Sequence, residues 1–141
     1  MFKKLKFKDN GVKEMLLGVK VPVKKEERVP NILVGRKKLE WIAKNFIMSE
    51  HAKFAQIRRD DTLSRRALKK RILNSPLSWK TRNNCVTIAL DLYNYVVVDP
   101  ENKDDYGTTT PIIVTFVNVR ESGINVVDKF IVEYKDFKRG W

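Results

Sequence analysis

Residues 49–76, SEHAKFAQIRRDDTLSRRALKKRILNSP, constrain the fold of this chain more than any other stretch. Two serines stand where helices would start. Ser49 precedes Glu50, an acid favoured by the positive end of a helix dipole, and Ser64 precedes a second periodic run. After Ser49, the residues His51, Phe54, Ala55 and Arg58 recur at i, i+3, i+4 and i+7, which predicts a helix over 50–59 with these four on one face. Asp60-Asp61-Thr62-Leu63 breaks the period. Leu68 and Ile72, four apart, then predict a helix over 65–74. Asn74-Ser75-Pro76 ends it, because proline has no N–H to give and disfavours α geometry in the residue before it.

The flanks differ in period. Upstream, Leu39, Ile42, Ala43 and Phe46 mark one stripe of a helix over 36–47, with Trp41 off the stripe and Lys37, Lys38, Glu40 and Lys44 opposite. It reads as a packing helix with no chemistry of its own. Downstream of Pro76 the chain becomes β-rich. Strands are predicted at 85–90, 95–99, 111–119 and 125–134, with a further short one at 78–82. Asp91-Leu92-Tyr93-Asn94 reads as the turn between 85–90 and 95–99, although one long bent strand fits too. Residues 99–110 form a polar loop. In residues 1–35 lysines alternate with apolar side chains, and 15–23 reads as one or two short strands made irregular by Gly18 and Pro22. The order predicts one domain over 1–141. Its parts are an irregular segment (1–35), three helices (36–76) and an antiparallel meander (77–141). The class is α+β, with the N-terminal helices packed on one face of a four-stranded antiparallel sheet and the other face left free for a ligand.

Charge narrows the partner. The net charge is +12, and it is segregated. Residues 53–82 hold ten Lys/Arg against two acids, whereas 91–141 hold six against nine. A basic half beside a mildly acidic one is the electrostatic footprint of a protein that meets a polyanion. Arg59, Arg65, Arg66, Lys69, Lys70, Lys80 and Arg82 are the expected nucleic-acid contacts. No apolar run approaches the about 18–20 residues that a membrane span needs. The basic N-terminus is followed by no long apolar segment, and Cys85 has no partner for an intramolecular disulfide. A cytoplasmic protein without a membrane partner is expected.

Chemistry is limited by the inventory. One histidine and one cysteine cannot build a usual structural zinc site, and there is no CxxC pair or glycine-rich phosphate loop. His51 is the only imidazole base for any hydrolase, and a Cys85–His51 pair is conceivable on paper. Asp60 with Asp61, or the acids of 99–105, offer oxygen ligands for Mg²⁺, but acids in such loops are more commonly solvated turn residues. RNA cleavage needs neither metal nor cofactor. The 2′-OH attacks the adjacent phosphorus, so the protein supplies a base, an acid and cations for the phosphoryl oxygens. His51 suits the proton transfer and Arg58 or Arg59 the phosphoryl oxygens. Tyr95 and Thr115 are the polar strand residues expected beside them.

The Ser-Glu-His-Ala helix start, the arginine pairs, the basic second helix ending in Ile-Leu-Asn-Ser-Pro, and the strands NYVVV and IIVTF resemble small phage and toxin nucleases. That group is the barnase–EndoU–colicin–RelE class, especially its phage-borne barnase-like members. The resemblance spans roughly residues 47–134. It implies a metal-independent ribonuclease with its site on an open sheet face, and the matching positions are His51, an arginine from Arg58-Arg59, Thr115 and, less closely, Tyr95. The turn Asp60-Asp61-Thr62 departs from the family's glycine-containing turn, and the first 35 residues have no counterpart. The expected partner is nucleic acid, RNA before DNA, with an acidic antitoxin or inhibitor protein as a further one. The alternative is a non-catalytic DNA- or RNA-binding protein, for which the basic helices over 50–74 would act in the manner of a helix-turn-helix.

Overall fold

The computed structural model describes residues 6–7, 12–15, 19–22, 32–57 and 63–138. Strands β1 (Lys6–Phe7), β2 (Val12–Met15) and β3 (Val19–Pro22) pair antiparallel in a small sheet of their own, in the order β1-β2-β3.

Three helices follow, where the apolar stripes place them. α1 (Arg36–Asn45) buries Leu39, Ile42 and Ala43, with Phe46 fully buried just past its end. α2 (Glu50–Ile57) begins after Ser49, whose Oγ accepts the Ala52 N–H at 3.0 Å. α3 (Arg65–Leu73) begins after Ser64, whose Oγ accepts the Ala67 N–H at 3.1 Å, and it buries Leu68 and Ile72. Both serines therefore satisfy an N–H that the helix cannot. α2 turns Ala52, Ala55 and Gln56 inward, where they are buried, while His51 is exposed and Phe54 is 69% exposed. The two alanines let the helix lie close against the sheet.

The main sheet has five strands, β4 (Ile47–Met48), β5 (Ser78–Lys80), β6 (Val86–Ala89), β7 (Asn94–Asp99) and β8 (Ile112–Asn118), in the order β4-β8-β7-β6-β5. β5 to β8 form an antiparallel meander. The Asp91 carboxylate makes the β6–β7 turn by accepting the N–H groups of Tyr93 and Asn94, both at 2.9 Å, so two strands meet there and not one bent strand. β4 joins β8 in parallel, which makes the sheet mixed and not purely antiparallel. Along β8, Thr115 pairs with Val97 but Ile113 pairs with Val98. Val114 is thus an extra residue, a bulge. Residues 32–34 run beside β5, with Val34 N–H on Ser78 O at 3.1 Å and Lys80 N–H on Ile32 O at 2.7 Å, so that edge is covered.

The largest correction is at the C-terminal end. The strand expected over 125–134 is a helix, α4 (Val126–Lys138). Its Val126, Val127, Phe130 and Tyr134 are buried at i, i+1, i+4 and i+8, a helical stripe that no alternating strand would produce. Asn125 and Asp128 cap each other: Asn125 Oδ1 accepts the Asp128 N–H and Asp128 Oδ2 accepts the Asn125 N–H, each at 2.9 Å. The β-branched residues favour a strand by propensity, and the cap and packing outweigh them.

α4 covers the sheet face that the sequence left bare. One core lies between the sheet and α1, α2 and α3, around Val86, Ile88, Val96, Val98, Ile113 and Phe116. The second joins Trp79, Tyr95 and Val119 to the stripe of α4. There Trp79 and Phe130 meet edge to face at 5.3 Å, and Trp79 Nε1 donates to Glu133. The helices are on both faces of the sheet, and not on one.

Candidate functional site

α1 and α3 pack side by side over one sheet face, and two arginines tie them head to tail. Arg36, at the start of α1, donates from Nη1 to Leu73 O at the end of α3 at 2.7 Å. Arg65, at the start of α3, donates from Nη1 to Phe46 O just beyond α1 at 2.6 Å, and its guanidinium lies 4.1 Å from the Phe46 ring centroid. Each arginine satisfies a carbonyl that its partner helix leaves open, at the negative end of that helix. Arg65, expected as a nucleic-acid contact, also holds the fold.

The cross-tie sets the outward faces of the two helices next to each other. α3 carries Arg65, Arg66, Lys69, Lys70 and Arg71 and no acid. Arg71 is held 3.5 Å from Asp91. Arg66, Lys69 and Lys70 are exposed and have no ion-pair or hydrogen-bond partner among the described residues. α1 adds Lys37, Lys38 and Lys44, all exposed, with Lys38 Nζ 5.1 Å from the Trp41 ring centroid. Its one acid, Glu40, is paired with Arg36 at 3.3 Å. The result is two neighbouring helices whose exposed positions carry mostly cations. Sequence reading placed the α3 cations there and missed those of α1. The signal was available, since Lys37, Lys38 and Lys44 all lie off the apolar stripe.

The proposed catalytic residues divide. His51 and Thr115 meet: Nε2 and Oγ1 share a hydrogen bond of 3.1 Å. Three local features bring this about. Ser49 caps α2 and also donates from Oγ to Val114 O at 2.8 Å, which pins the helix start to β8. His51 follows in the first turn, and the bulge at Val114 re-aims the strand where Thr115 stands. The imidazole opens onto a shallow groove lined by Glu50, His51, Phe54 and Ala55. Tyr95 does not join them. It is 6% exposed in the core under α4, where burial pushes its phenol above the ordinary range, with Lys129 lowering and Glu133 raising it further. Arg58, Arg59 and the Asp60-Asp61-Thr62 turn lie outside the described residues.

The remaining candidates are dispersed. Lys80 and Arg82 are exposed at and just after β5, at the far side of the sheet from β4. Cys85 is half-buried. Burial raises its thiol pKa, and the nearby Asp99 carboxylate raises it further, which opposes the thiolate a nucleophile needs. In the 99–110 loop, Asp104 turns its carboxylate onto its own backbone, accepting the Tyr106 and Thr108 N–H groups at 2.9 Å each. Among the described residues, no group of three or more His, Cys, Asp or Glu is placed to hold a metal ion, and no helix is long and apolar enough to cross a membrane. No family model, curated protein or solved structure matches the chain.

Proposed function

We propose that this chain binds nucleic acid through the cationic outer face of α1 and α3. The observation that carries the reading is α3 itself, five cations without an acid, three of them unpaired among the described residues. Lys70 and Arg71 in the last turn suit the helix dipole, but the rest of the arrangement does not serve the helix. Arg65–Lys69 and Arg66–Lys70 are like charges at i, i+4, each costing about 0.2–0.5 kcal/mol. Arginines in the first turn also oppose the helix dipole. A helix that keeps unfavourable charge on its solvent side is suited to a polyanion that neutralises it.

The test is fluorescence anisotropy on a labelled oligonucleotide between ~50 and ~200 mM salt. Affinity falls linearly on a log–log plot. Replacing Arg66, Lys69 and Lys70 together by glutamine lowers the slope by about 2–3. A flat salt response in the wild-type protein refutes the reading.

A second reading is supported by the His51–Thr115 contact. In it the protein cleaves RNA without a metal, His51 moving the proton of the attacking 2′-OH, as the likeness to barnase-like nucleases implies. Tyr95 takes no part, because it is buried under α4. Labelled RNA incubated with the protein in EDTA tests this. Cyclic-phosphate ends that disappear with His51→Ala support cleavage, and their absence, or equal cleavage by the variant, rejects it.

A further inference from the structure

We infer that the α1–α3 face grips the phosphate backbone without reading base sequence, an inference that rests on the nucleic-acid reading above. Recognising a base edge in a fixed geometry takes a forked side chain with matched donors or acceptors: Asn or Gln for adenine, Asp or Glu for cytosine, Arg for guanine, to which Lys can also donate. On these helices nearly every such group makes a bond within the protein. Glu40 is paired with Arg36, whose guanidinium also holds Leu73 O. Asn45 donates to Trp41 O at 2.9 Å. Arg65 is fastened to Phe46, and Arg71 to Asp91.

Along the two helices this leaves Arg66 as the one forked group without a bond among the described residues. Asn74, the C-cap of α3, is eight residues further on, about 12 Å along the axis at the rise of an α-helix. Between them stand Lys69 and Lys70, ammonium point charges that suit phosphates and have rotatable donors in place of a fixed fork. A helix that reads DNA contacts bases chiefly with its N-terminal residues, and here one of the first two arginines is turned back into the fold. Affinity on this surface is electrostatic, and discrimination between sequences is small.

The experiment compares ~20-bp duplexes of A·T-only (A·U-only in RNA), G·C-only and random sequence, in DNA and in RNA form, by anisotropy at matched salt concentrations between ~50 and ~200 mM. Within each form, dissociation constants agree within about threefold, whereas one forked base contact separates them by roughly 5–150-fold. Arg66→Lys, which keeps the charge, shifts every duplex by one common factor, and Arg66→Gln weakens all of them by a larger common factor. A preference of more than about tenfold for one sequence, relaxed by Arg66→Lys, overturns this inference and leaves nucleic-acid binding standing. Absence of salt-dependent binding to any duplex overturns both.

Discussion

Single side chains set the geometry at the start of α2. Ser49 Oγ accepts the Ala52 N–H at 3.0 Å and donates to Val114 O at 2.8 Å, so one hydroxyl both caps the helix and fastens it to β8. Ser49→Ala removes both bonds and is expected to cost about 1–2 kcal/mol in urea unfolding. It also loosens the His51–Thr115 contact, which depends on the same helix start. Cys85 gives a second expectation. With its thiol raised by burial and then by Asp99, alkylation by iodoacetamide at neutral pH is slower than that of a free cysteine, and its rate is still climbing with pH where a free thiol, with its ordinary value of about 8.5, levels off. Mass spectrometry of a time course across pH reads this, and a rate equal to that of free cysteine contradicts it.

Among the elements, α4 matters most, because it converts an open sheet into one clad on both faces. Phe130 is fully buried between Trp79 and Tyr134, and Phe130→Ala is expected to cost about 3–5 kcal/mol in chemical denaturation. A loss below about 1 kcal/mol would mean that α4 is not a structural layer. The signal for this helix was present in Asn125-Val126-Val127-Asp128, a capping pair at the right spacing, but the β-branched composition outweighed it on reading. The 99–110 loop is an element built on Asp104. The Thr108 N–H above all, with those of Tyr106 and the Thr110 hydroxyl, holds its carboxyl below the ordinary value despite some desolvation. A carboxyl with a depressed folded-state pKa stabilises its loop above the ordinary value of about 3.9 and loses that effect as pH falls through the lowered one. The amide resonances of Tyr106 and Thr108 therefore titrate together below that ordinary value, and Asp104→Asn abolishes the transition.

At the scale of the molecule, charge and architecture are separable. Replacing Arg66, Lys69 and Lys70 by glutamine relieves like-charge repulsion on α3 and removes no contact among the described residues, so the melting temperature is maintained or rises slightly while nucleic-acid binding weakens. A variant that unfolds would assign these cations to the fold. The sequence by itself determined the three amphipathic helices, the serine caps of α2 and α3, the stop at Pro76 and the crowding of positive charge on one half of the chain. Each of these is set by residues a few positions apart, through helix period, capping and local charge. Only the tertiary structure decided that α4 lies over the second sheet face with Tyr95 beneath it, that Ile47–Met48 adds a parallel edge, and that Arg36 and Arg65 cross-tie two helices. Those outcomes depend on partners tens of residues away, and local patterning carries no record of which surfaces the folded chain brings together.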